Sequence, residues 1–227
     1  MFFYDSYYLI LVVPAILISL FAQMKVKSTY NKYSQVMSKN AQTATEITRK
    51  ILDMNGLQNV KIESVRGTLS DHYDPRANVI RLSDSVRGDV SVASIGVAAH
   101  EAGHAIQHAV GYKPIKVRNA ILPIANFGSR LSVPLIILGI ILSFEPLVTI
   151  GILAFSAVLL FQLITLPVEF NASRRALSTL SQNGILQGEE LSGAKKVLSA
   201  AAMTYVAAVL VSLMQLLRLI LINRKRD

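Results

Sequence analysis

The sequence contains no cysteine, which excludes a disulfide scaffold and any Cys-ligated zinc or iron–sulfur site. Charge is scarce too. Only 16% of the 227 residues are Asp, Glu, Lys or Arg, against about 25% in soluble domains, so an ordinary cytosolic globule is a poor fit. Acidic residues are the scarcer sign, 14 against 23 basic, leaving a formal net charge of +9. A basic excess suits nucleic acid, anionic lipid or membrane-topology signals. Its distribution selects among them: the cations flank long apolar runs, and no basic–aromatic surface or nucleic-acid motif accompanies them. Nucleic acid is therefore not an expected partner, and a lipid bilayer is. With 52% hydrophobic residues, the chain is far too apolar for disorder.

Ser6 to Met24 is a run without a charge, long enough to cross about 30 Å of hydrocarbon. The start carries Asp5 but no basic leader, and Met24-Lys25 is a poor cleavage site, so the segment reads as an anchor rather than a signal peptide. Between Leu131 and Val168 the only charge is Glu145, followed by Pro146. This reads as two antiparallel spans turning at Ser143–Pro146, the first recruiting Ile121–Phe127 for length. A re-entrant segment is the competing reading for that first span. A last run, Val197–Leu217 continuing through Arg218 to Ile222, makes a fourth span. On one side of these spans lie Lys25, Lys27, Lys32, Lys39, Lys113, Lys116, Arg118, Arg130, Arg174, Arg175, Lys195 and Lys196; on the other lie only Arg224, Lys225 and Arg226. The imbalance places the first group in the cytoplasm, with the basic C-terminus as a dissenting signal. If that end is cytoplasmic too, the last apolar helix does not cross.

The organisation expected is a first span over 1–24, a cytoplasmic portion over 25–120, a transmembrane hairpin over 121–167, a cytoplasmic segment over 168–196, a fourth span over 197–223 and a basic tail over 224–227. The fold class is a mainly α integral membrane protein with about four transmembrane helices and a small α+β cytoplasmic-side portion. Within 25–120, Thr43–Asp53 has helical periodicity closed by Asn55-Gly56. Val60–Val65 and Val79–Leu82 read as strands, with a strand-like stretch ending at His72. Asp74-Pro75-Arg76-Ala77-Asn78 is a strong turn signal. A helix from about Val92 to Ala109 follows, capped by Asp89 or Ser91 and ended by Gly111 and Pro114.

That helix contains His100-Glu101-Ala102-Gly103-His104, an H-E-x-x-H. Histidines at i and i+4 share one helical face, so both imidazoles can converge on one tetrahedral Zn²⁺. Glu101, one position round, can take a proton from a water that the metal activates. The chemistry indicated is hydrolysis, most often of a peptide bond. With 4 His and 7 Glu in the chain, chance gives on the order of 0.002 such motifs. His108 extends the histidine series, but His100 and His108 lie about 12 Å apart along a helix, too far for one ion. Val110 interrupts the metzincin continuation. His108 is expected behind the ligands, as a C-terminal cap, or at substrate. A third ligand is needed. Glu169 lies on the cytoplasmic side just past the third span, with Pro167 expected at a first helical position; Glu189 and Glu190 are rivals that also suit the first turn of the last helix. His72 is either a substrate-side group beside an edge strand or a satisfied loop histidine. Arg174 and Arg175 are topology determinants, or one of them holds Glu169 through a bidentate pair.

HEAGHAIQH, SDHYDPRANVIRLS, ITLPVEFNASRRAL and GAKKVLSAAAMTYVAA together resemble the YugP-like family of bacterial membrane zinc metallopeptidases, similar in outline to HtpX and the CAAX proteases. The resemblance implies one Zn²⁺ per chain, protein or peptide substrates, a multi-pass bacterial cytoplasmic membrane protein with its site facing the cytoplasm, and a role in membrane-protein quality control. In the broader group a Glu in an E-x-x-x-D motif supplies the third ligand. Glu169 matches that Glu, but Ser173 stands where the Asp would be. From a different class, the alternative is a non-catalytic membrane scaffold with a structural zinc; the intact Glu101 and the absence of cysteine argue against it.

The four-span reading has a direct check. A topology reporter fused after Asp227 is expected on the extracytoplasmic side, and a cytoplasmic signal overturns it.

Overall fold

The computed structural model describes residues 5–224; Lys225 and Arg226, counted above, lie outside them. After a short π-helical stretch at Tyr8–Val12, the elements are α1 (Val13–Tyr33), α2 (Ala44–Met54), β1 (Lys61–Val65), β2 (His72–Asp74), β3 (Val79–Ser83), α3 (Asp84–Arg87), α4 (Val92–Ala109), α5 (Lys113–Ile141), α6 (Glu145–Gln182) and α7 (Gly188–Asn223). Four helical segments among the described residues are long and apolar enough to cross a membrane: Tyr8–Tyr33, Lys113–Ile141, Glu145–Gln182 and Gly188–Asn223. The protein is thus a mainly α membrane protein with a small α+β part. The chain divides into two compact units, one of residues 1–23, 116–167 and 203–227, the other of 24–115 and 168–202.

The first unit is built from the apolar runs. Ser143 at φ +50° makes the turn between α5 and α6, within the Ser143–Pro146 stretch expected to reverse the chain. Close helix approach here depends on small residues, as lipid offers no hydrophobic incentive for association. A Cβ on Gly128 would sit 2.5 Å from Ala154 O, and one on Gly151 would sit 2.9 Å from Ser132 O. Asp5 accepts from Arg218 Nε at 2.9 Å and Nη2 at 2.6 Å, and its other oxygen accepts from Tyr8 N at 2.9 Å. The pair joins the beginning of the first apolar helix to the end of the last, so in this unit those two segments run antiparallel.

The second unit is organised around α4. Its small residues let neighbours close in on nearly every face, burying Ala93, Ala98, Ala99 and Ala102 completely; a helix apolar all round belongs in a core. Ser91 is its N-cap, accepting from Ser94 N, and Asp89 in turn accepts from the Ser91 and Ser94 hydroxyls. Gly111, at φ +65°, ends it. Thr43 and Glu46 form a reciprocal capping box that starts α2, whose Ile47, Ile51 and Leu52 fill the core. The sheet has the order β1-β3-β2, with β1 parallel and β2 antiparallel to β3. The strand near His72 begins there rather than ending there.

Pro167 also departs from expectation. It stands inside α6, which runs unbroken from the apolar stretch 147–166 into the second unit's residues. Proline removes one backbone bond to the carbonyl four residues back, a loss that a long packed helix in an apolar setting tolerates. Glu169 is therefore a turn-interior residue of a long helix, not the first turn of a new one.

The helix contact at Gly128 gives a measurable consequence. Gly128→Ala forces its methyl against a backbone oxygen of α6, and overpacking of this kind costs about 1–3 kcal/mol. A lower unfolding midpoint in detergent is expected; an unchanged one would refute the close approach.

Candidate metal centre

Two helices of the second unit bring three chemical groups together. On α4, His100 and His104 lie one turn apart with ring centroids 4.7 Å apart and planes at 85°. From α6, Glu169 Oε2 lies 3.3 Å from His100 Nε2 and 3.5 Å from His104 Nε2. The three ligand atoms lie within 4.8 Å of one another, and among the described residues this is the His/Asp/Glu group so arranged. Donors about 2.0–2.2 Å from a tetrahedral zinc stand about 3.4 Å apart, so the observed separations suit that ion with little adjustment. Two imidazoles and one carboxylate are also a donor set zinc accepts while keeping a position open.

A backbone feature sets the spacing. A Cβ on Gly103 would sit 2.6 Å from Ala172 O. Glycine between Ala102 and His104 thus lets α4 press against α6 three residues beyond Glu169. The histidines and the carboxylate reach one another because no side chain separates the two backbones.

The surroundings favour positive charge at this point. Burial opposes ionisation of Glu169, yet the two imidazoles it faces hold its carboxyl well below the usual carboxylate range. Burial likewise disfavours a charged His104, but Glu169, Glu101 and Gln107 outweigh it and raise the imidazole's pKa.

Behind the ligands, His100 Nδ1 lies 3.0 Å from Ser173 Oγ, and His104 Nδ1 lies 3.0 Å from Gln107 Oε1. Ser173, the position where an Asp was missed in the sequence, thus contacts the first histidine. Glu101 is buried, and its Oε2 accepts from the backbone N–H of Tyr73 on β2 at 2.9 Å. One oxygen of the candidate base is tethered by the sheet edge, which fixes the carboxylate plane beside the two histidines.

The other residues singled out in the sequence sit elsewhere. His72 is exposed, with Nδ1 2.9 Å from Ser70 O and Nε2 3.5 Å from Arg81 Nη1. His108 is exposed in the last turn of α4, its ring 6.1 Å from that of Tyr73. Arg174 is exposed. Arg175 donates to Asn171 Oδ1 at 2.8 Å and lies over the Tyr112 ring, so its link to the site runs through Asn171 rather than an ion pair with Glu169. Glu190 is engaged by Lys39 N and Ser38 Oγ, away from the histidines. Gln107 and Asn171 were not singled out beforehand. The one signal was an amide placed three residues after His104 on a helix otherwise lined with small apolar residues.

Comparison with known proteins agrees with this geometry. Residues 8–224 match the family described as "Putative neutral zinc metallopeptidase". The chain is 48% identical over 215 residues, 95% of its own length and 96% of the other's, to the "Putative membrane protease YugP" of Bacillus subtilis (strain 168). No solved structure matches. The chain belongs to this zinc metallopeptidase family.

Two glycine substitutions on α4 separate the local constraint from general packing. Gly103→Ala must push α6 away and is expected to lower the zinc content of purified protein. Gly96→Ala, whose Cβ would lie 3.4 Å from that of Ala194, is expected to keep it. Equal zinc in both would show that the Gly103 approach does not set the site.

Proposed function

We propose that this chain is a zinc-dependent endopeptidase of the bacterial cytoplasmic membrane, its site facing the cytoplasm. The observation that carries the reading is the convergence of His100, His104 and Glu169 with Glu101 held beside them. The first three would hold one Zn²⁺, which supplies Lewis acidity toward a carbonyl and makes water more acidic. Glu101 acts as general base: Tyr73 N–H fixes one carboxylate oxygen, and the other is left to receive a proton. Three protein ligands rather than four fit a hydrolytic site better than a closed structural one, which disfavours a scaffold role.

Protein or peptide substrates follow from the family's name and that of the relative. His108 beside Tyr73 is better placed for a substrate-side role than His72, whose ring is occupied by Ser70 and Arg81. The membrane-protein quality-control role implied by the resemblance belongs to the same proposal. For topology, the Asp5–Arg218 pair supports a last helix that crosses. It brings the end of the last apolar helix to the start of the first, as expected if both segments cross the bilayer in opposite directions.

Two substitutions test the assignment. Glu101→Gln is expected to keep zinc while lowering peptide hydrolysis about 10²–10⁴-fold, the usual contribution of a general base; undiminished cleavage rejects the base. Glu169→Ala is expected to lose zinc on metal analysis, and unchanged stoichiometry would reassign the third ligand.

A further inference from the structure

A chain of hydrogen bonds runs away from His104 and has a direction. Arg175 Nε, which can only donate, reaches Asn171 Oδ1 at 2.8 Å. Asn171 therefore presents oxygen. The same Oδ1 lies 3.0 Å from Gln107 Nε2, which also reaches the backbone oxygen of Val168 at 2.8 Å. Two acceptors on one side oblige Gln107 to present its NH₂ there and its Oε1 to His104 Nδ1 at 3.0 Å. Gln107 Oε1 is the nearer of two acceptors, Glu169 Oε2 lying 3.5 Å from Nε2, so in the neutral imidazole it favours the proton on Nδ1 and leaves the lone pair on Nε2. Gln107 is fully buried, so water cannot replace either partner. The His100 side differs: Ser173 Oγ can donate or accept, and nothing there imposes a tautomer.

We propose that Gln107, oriented by Asn171, Arg175 and the Val168 carbonyl, is a positioning residue that locks His104 in the metal-ready Nδ1–H tautomer. This rests on the zinc reading above but concerns the apoprotein first. The lock is set by a neutral amide rather than by the carboxylate that often backs a ligating histidine. It orients the ring without adding a second negative charge behind the metal. The polarity comes from a cation on α6 and a main-chain carbonyl, neither of which can reverse.

The test uses the full-length protein in detergent. Zinc affinity is measured by chelator competition, and the tautomers of its four histidines by ¹⁵N NMR of the zinc-free form with neutral imidazoles. Gln107→Leu is expected to weaken zinc about 10–100-fold, the usual effect of losing such a partner, and to release His104 into mixed tautomers. Asn171→Asp keeps an oxygen for both Arg175 and Gln107 and is expected to stay near the parent protein on both readouts, whereas Asn171→Leu moves toward Gln107→Leu. Parent-like affinity and tautomer in Gln107→Leu would overturn the proposal, as would an Asn171→Asp as impaired as Asn171→Leu. Should Gln107→Leu fail to fold, the Asn171 pair carries the test. A parent protein that binds no zinc yet holds His104 as Nδ1–H, with that state lost in the variants, supports the lock while removing the zinc endopeptidase reading.

Discussion

The contact on which the candidate site depends is the approach of Gly103 to the Ala172 carbonyl. A helix pair normally stands 8–10 Å apart because side chains intervene. Here the glycine removes that layer at the level of the ligands. The histidines come from one helix and the carboxylate from the other, so the interhelical distance is also the ligand distance. Other features maintain that distance: the Ser91 cap starts α4, the small residues of α4 let the core close around it, and Gln107 bridges from α4 to the Val168 carbonyl of α6. Each of these acts on backbone position, and the site inherits its precision from them.

The centre is also economical in charge. Two imidazoles and one carboxylate would hold the cation, an amide and a hydroxyl stand behind the imidazoles, and under the proposed reading a second carboxylate serves proton transfer. In a cysteine-free chain imidazole and carboxylate are the donors at hand, a set that would leave a bound zinc electrophilic. Arg175, one turn beyond Asn171, donates to its Oδ1, so its charge orients the network without competing for Glu169.

What the sequence made legible was local. The H-E-x-x-H helix announced its start at Asp89 or Ser91 and its end at Gly111, and the Asn55-Gly56 stop and the turn at Asp74–Asn78 marked their elements in the same way. Glu169 was reachable by an argument about placement along the chain. The rest depends on contacts distant in sequence. Pro167 looked like a helix start because proline usually is one, yet the unbroken packing of α6 absorbs it. By sequence, Arg174 and Arg175 are topology determinants or one of them partners Glu169; the helix turns the Arg175 side chain back one turn to Asn171. Gln107 has only a faint local signature, an amide on an otherwise apolar helix: its role exists only where α4 and α6 meet, and periodicity cannot register that meeting.

The position of Glu169 along the chain has a consequence for biogenesis. His100 and His104 are synthesised before the hairpin of α5 and α6, and their third partner arrives only after it. No earlier portion of the chain contains the complete set. A complete set of candidate donors therefore exists only after the hairpin of α5 and α6 has been made. The order in which residues leave the ribosome thus places assembly of the candidate centre behind synthesis of the segments that would anchor the chain.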